Sequence, residues 1–368
     1  MKLRKSTSCL SFGLALGVIA TGITGCGGNG GAGGSPVTVI DLGANLGAEN
    51  TEDISEVFEI ADVLCPAVTD STMLRWPEVG GYDGKNLYLH AEEVMMVFDM
   101  SNGDCLYSFN KKGNGPGEYI APWTAWRTPG SDGWTIRDYR THRIMSYTAD
   151  GTFLGAFEND TISELMPNGD GWIATNTVGV NKEIVFYLYD QSWQLKDSIN
   201  SGLTFYMVDD GQVYLPMDIS VSDDRSFMRD RDTIYSVVDS KLVPEVAISA
   251  PNMTKRVSTF EEEREQRKSR LYIYRAVVNP SYVMVGFTND GKDYVQIYSR
   301  PDGKLVYSRR SDNENPGLPV TINGKETYGV PVSVAYDSGF FVFVTAERMG
   351  ELTGDEDSNP AIVRIRMK

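Results

Sequence analysis

Histidine is almost missing from this chain: His90 and His142 are its only two in 368 residues. A Ser-His-Asp site would have to recruit one of them, and no Gly-x-Ser-x-Gly elbow marks a nucleophile. Neither histidine has a partner at zinc-ligand spacing, and Cys-x-x-Cys is absent. His90 closes an apolar strand near the place where the next repeat carries Asp138, and His142 adjoins Arg143, so both read as turn residues. Clustered base is lacking too. The longest basic stretch, Arg264 to Arg270, is interleaved with acids, and the formal charge is −16. Phosphate recognition needs concentrated Lys and Arg, so the composition argues against a nucleic-acid partner. No apolar run is long enough to span a bilayer.

The longest such run, Leu10 to Ile23, follows Lys2, Arg4 and Lys5 and leads into Ile23-Thr24-Gly25-Cys26. A basic start, an apolar middle and small residues before a cysteine make a lipoprotein signal. Residues 1–25 are expected to be removed and Cys26 lipidated, leaving the mature chain anchored to the membrane by lipid alone. Three positive charges leave with the signal, so a formal charge of −16 becomes −19. Residues 26–36 form the tether: six of the eight residues after Cys26 are glycine, and about ten such residues span roughly 16–19 Å. The expected location is the outer membrane, on its periplasmic side. The cell surface is the alternative, although no acidic cluster follows Cys26. Cys9 departs with the signal, so Cys65 and Cys105 are the remaining cysteines of four. They either form one disulfide, which an oxidising envelope permits, or sit apart as small apolar residues.

From residue 37 to 368 the chain reads as short strands separated by Asp, Asn and Gly turns. One unit recurs: Asn86 to Leu89, Val94 to Asp99 and Cys105 to Phe109 form the first copy. The second has Trp134 to Ile136, Arg143 to Tyr147 and Phe153 to Phe157. Val185 to Asp190 with Trp193 to Leu195, Thr233 to Val238 with Leu242 to Ile248, and Tyr294 to Tyr298 with Leu305 to Tyr307 supply three more. Phe340 to Thr345 and Ile362 to Met367 supply a sixth. Antiparallel units of this length predict an all-β, six-bladed β-propeller, in which a ring of sheets protects edges that a single sheet would expose. The final strand and the apolar segment Val37 to Leu42 are incomplete edges, so a segment before Ser71 is expected to pair in one blade with the last 30 residues. Phe260 to Lys268 is the exception, a solvated helix with Glu263 and Arg267 at i, i+4.

Gly113, Gly115, Pro116, Gly117, Glu118 and Tyr119 follow the first unit as a rigid turn in which several positive φ values are expected. The spacing is not that of a nucleotide loop. With Asp232-Thr233-Ile234-Tyr235 and Asn359 to Ile365, this segment resembles the TolB-like six-bladed β-propeller lipoproteins of Gram-negative bacteria, whose hallmark is G-x-GPGEY. The resemblance implies the fold and no catalytic residues.

Glu118 has two readings, an acceptor at a channel mouth or a cap for the glycine turn, with Tyr119 packed between blades. Trp123, Trp126 and Trp134 would stack sugar rings if exposed and pack blades together if buried. Asp223-Asp224 and Asp355-Glu356-Asp357 offer oxygen to calcium but lack the spacing of a known loop. The expectation is a monomeric, non-catalytic binding module without a cofactor. Its partner would be an envelope protein, a glycan or a small molecule at one propeller face. The alternative is a hydrolase or lactonase-like enzyme with a divalent metal in the central channel.

Overall fold

The computed structural model describes residues 37–48, 54–67, 74, 77–176, 183–204, 207–209, 212–214, 218–255, 257, 259–311, 317–355 and 357–368. The signal, Cys26, the tether and Glu356 lie outside the described residues. Among the described residues, strand pairing sets out six antiparallel runs of four, to which Thr38–Asp41 and Leu318–Ile322 add further strands and Met207–Asp209 with Gln212–Tyr214 a separate pair. Sheet one comprises Glu78–Tyr82, Asn86–Ala91, Val94–Asp99 and Cys105–Asn110. Sheet two comprises Pro122–Arg127, Trp134–Asp138, Arg143–Tyr147 and Phe153–Glu158. Sheet three runs Ile162–Asn168, Gly171–Asn176, Glu183–Asp190 and Leu195–Thr204. Sheet four runs Asp218–Ser222, Arg225–Asp230, Thr233–Val238 and Lys241–Ser249, and sheet five Tyr272–Val278, Tyr282–Asn289, Lys292–Ser299 and Leu305–Ser311. Sheet six joins Lys325–Tyr336, Gly339–Val344 and Ala361–Met367 to Phe58–Leu64 from the other end of the chain.

The first strand of each sheet faces the first strand of a neighbour. One packs on two, two on three, four on five, five on six and six on one, while three meets four through Ile162–Asn168 and Arg225–Asp230. Sheets four and six also touch past sheet five, where Val221 pairs with Val334 and Ser222 with Ala335. The turns beyond this contact carry Asp223 and Asp337.

Aromatic side chains fill the clefts between sheets. Tyr88 and Trp134, both buried, meet edge to face at 5.3 Å between sheets one and two. Between two and three, Trp193 stacks on Phe157 at 5.4 Å and on Trp172 at 5.6 Å. Trp193 stands in a turn with φ 61°, and the strand begins at Leu195 rather than at Trp193. Burying one such ring contributes about 2–3 kcal/mol.

The N-terminal segment holds sheets four, five and six in turn. Thr38–Asp41 pairs in parallel with Lys241–Ser249, so the expected edge at Val37 to Leu42 belongs to sheet four and not to the closing blade. Asn45 then accepts from Gln296 at 2.9 Å, and the Ala48 carbonyl from Ser308 at 2.9 Å, both on sheet five. Phe58–Leu64 finally completes sheet six against Ala361–Met367, from Phe58 opposite Met367 to Leu64 opposite Ile362. A segment before Ser71 therefore does pair with the last residues. The helix forms at Phe260–Arg267, with Thr259 capping the Glu262 N–H and Arg267 bonded to Glu263 at 2.8 Å. Cys65 and Cys105 are both free and exposed.

Candidate functional site

The first strands of all the sheets except sheet four are irregular, and the irregularity decides what they present. Opposite Trp134–Asp138, Pro122 pairs with Asp138 and Thr124 with Arg137, which leaves Trp123 as an extra, unpaired residue. On sheet three Ile162 pairs with Asn176 and Leu165 with Ala174, so Ser163 and Glu164 together oppose one residue. Tyr274 is the extra residue on sheet five. A bulge breaks the alternation of a strand and re-aims the side chain it displaces. Trp123 and Glu164 are thereby brought together from neighbouring strands, with Trp123 Nε1 donating to Glu164 Oε1 at 3.1 Å.

Trp123 remains 53% exposed and Tyr139 58%, and their rings lie 5.8 Å apart, tilted by 41°. Two large aromatics side by side in water are not explained by packing. His142 borders them, its ring 6.5 Å from Tyr139, in a turn where its φ is 55°. Burial pushes the Glu164 carboxyl above its ordinary range, and the Trp123 N–H and the Arg137 charge pull back. Arg137 is 3% exposed; its Nη2 donates to the Ile162 carbonyl, and its Cζ lies 5.9 Å from the Tyr139 ring centre. Burial lowers its pKa, against the pull of Glu164. Arg137 Nη1 and the hydroxyl of its cross-strand neighbour Thr124 are both buried without a protein partner.

The other candidates have structural partners. Glu118 folds back on its own turn, accepting the Gly115 N–H at 2.8 Å. The glycines of this motif do not adopt positive φ, contrary to expectation. They are small because of Glu118 and Phe153: a Cβ on Gly113 would lie 2.0 Å from Glu118 Oε2, and one on Gly117 3.0 Å from Phe153. Arg143 donates to the Pro116 carbonyl at 3.1 Å and the Glu118 carbonyl at 2.7 Å. Tyr119 is fully buried, donating to the Glu93 carbonyl at 2.6 Å, and burial pushes its phenol up to about 12. Asp138, also fully buried, accepts backbone N–H groups of Ile120, Ala121 and Arg140. Burial raises its pKa, but these donors outweigh it and hold the carboxyl below its ordinary value. His90 is not a turn residue: it is buried inside Asn86–Ala91, paired across to Glu78, whose carboxylate is 3.6 Å from Nε2. Burial lowers its pKa. Trp126 and Trp134 are core residues, Trp126 donating to the Leu165 carbonyl at 2.7 Å. Among the described residues, no three His, Cys, Asp or Glu side chains gather as a metal site.

Tyr139, Glu164, Arg137 and Thr124 escaped sequence reasoning. The available signal was Glu164 itself, a lone acid in the apolar run Ile162 to Met166.

Six groups of antiparallel strands and a bulge-built aromatic patch define an all-β, propeller-like protein. The chain belongs to the DUF4934 family, a domain of unknown function matched over residues 37–366. Among solved structures, a Bacteroides fragilis protein described as exported is similar over 90% of this chain and 100% of its own, at 15% identity and a TM-score of 0.63. A DUF4221-family member from Bacteroides vulgatus is similar over 84% of this chain and 98% of its own, with 11% identity and a TM-score of 0.54. The Cps50 β-propeller domain of Myceliophteria thermophila is similar over 77% of this chain and 80% of its own, with 10% identity and a TM-score of 0.41. No curated protein matches the sequence. Among the described residues no helix is long and apolar enough to cross a membrane.

Proposed function

We propose that this protein is a six-bladed β-propeller, lipid-anchored through Cys26 at the periplasmic side of the outer membrane, that binds an envelope ligand as a monomer without catalysing a reaction. Each four-stranded group is one blade, and Phe58–Leu64 ties the ring. The resemblance of Gly113 to Tyr119 to the TolB-like lipoproteins supports the same architecture. The observation that carries the binding role is the exposure of Trp123 and Tyr139, held outward beside Glu164. In such a ring of up-and-down strands, this patch would lie at the end where blade-to-blade connections cross, and loops of that sort are where function is carried. The reading needs no cofactor.

A photo-crosslinking residue at Tyr139 tests it in intact cells, with one at Asn102, in a turn at the opposite end of the strands, as the control. An envelope adduct from position 139 and none from 102 is expected. No adduct from 139, or equal adducts from both, overturns the reading.

A further inference from the structure

Taking the Trp123 end as the binding end, we infer that the patch is a carbohydrate subsite that stacks the C–H face of a neutral sugar ring. Three observations converge on that chemistry. The two rings present an apolar surface tilted by 41°, which fits the puckered face of a pyranose better than a flat base or an extended peptide. The rim is an acceptor: Glu164 takes one hydrogen bond from Trp123, which leaves carboxylate lone pairs for a sugar hydroxyl. Behind the rim, the unpartnered Arg137 Nη1 and Thr124 Oγ1 are cross-strand neighbours. A buried donor with no acceptor is costly, and a hydroxyl or a bridging water has the size and lone pairs to meet both.

An aromatic pair beside a carboxylate also describes a site for an organic cation. Here the cation is already present. The Arg137 guanidinium lies by the Tyr139 ring and its charge acts on Glu164, so a second cation would meet repulsion where it should meet attraction. A negatively charged sugar is opposed by Glu164, with Glu78 close enough to act on it.

The test is calorimetric titration of the full-length lipoprotein in detergent. The probes are hexasaccharides of glucose, mannose, xylose and N-acetylglucosamine, with tetramethylammonium chloride as the cation. At least one neutral hexasaccharide is expected to bind and to quench tryptophan fluorescence. Trp123→Ala and Tyr139→Ala should each weaken that binding tenfold or more while melting at the wild-type temperature. Trp123→Phe, which keeps a ring but loses the Glu164 hydrogen bond, should retain binding within about threefold. Binding by none of the sugars, binding indifferent to Trp123→Ala, or binding of tetramethylammonium alone overturns the assignment. If the sugars fail while Tyr139 still crosslinks an envelope component in cells, the binding face stands and only its ligand class is wrong.

Discussion

Glu118 shows how a motif can be prominent in a sequence and structural in the protein. Its carboxylate occupies the space that the missing Cβ of Gly113 would fill and bonds the Gly115 N–H. Glu118→Ala should therefore leave that N–H without its acceptor and cost about 1–3 kcal/mol, seen as a lowered melting temperature with ligand binding intact. Unchanged melting with lost binding would move the motif from scaffold to site. Asp223 makes a different prediction. Burial first, and its contact with Asp337 second, push its carboxyl up to about 6. The folded protein therefore holds this proton more tightly than the unfolded chain, whose carboxyl keeps its ordinary value near 4. The stabilisation is complete below about pH 4 and is lost as pH rises through about 6. Melting curves of wild type and Asp223→Asn compared between pH 4 and 7 should diverge with the wild type losing more on going up. Parallel curves would show that the pair does not share a proton.

At the scale of strands, regular apolar strands closed by turn residues are legible, and the first strands of the sheets are not. Val94–Asp99, Arg143–Tyr147, Thr233–Val238 and Gly339–Val344 were all readable from apolar runs closed by turn residues. Pro122–Arg127, Ile162–Asn168 and Tyr272–Val278 are not legible, because each carries a bulge and a bulge destroys the two-residue period that marks a strand in sequence. Two of these bulges, at Trp123 and at Ser163 and Glu164, assemble the aromatic patch, so what hid those strands also hid the site. Phe58–Leu64 was missed as a strand although its pairing was anticipated; its exposed flank is mixed with Glu59 and Asp62, the latter bonded to Arg364. Deleting residues 361–368 removes Ile362, Val363 and Ile365, all buried, and orphans Phe58–Leu64. At about 1.5–3 kcal/mol for each side chain the loss is comparable to the whole stability of an ordinary domain. Urea denaturation of the truncated protein should show no folded baseline, and an intact cooperative transition would count against closure by this strand.

For the whole molecule, the anchor and the ring make separable claims. Cys26→Ala should move the protein from the membrane pellet to the soluble fraction on cell fractionation without altering its melting, since among the described residues the sheets begin at Thr38. A variant that stays with the membrane would remove the lipid assignment and leave the fold untouched. The pairing of Phe58–Leu64 with Ala361–Met367 also sets a clock. Glu59 and Arg366 are bonded across 307 residues of sequence. At ribosomal speeds, the first of these segments is made roughly 15 to 60 s before the second exists. Through that interval an apolar strand must travel without its mate, and the arrival of Ala361–Met367 decides when the segments between them can become one body. Contacts this distant make for slow folding, so the protein is at its most vulnerable just before Ala361–Met367 has been made.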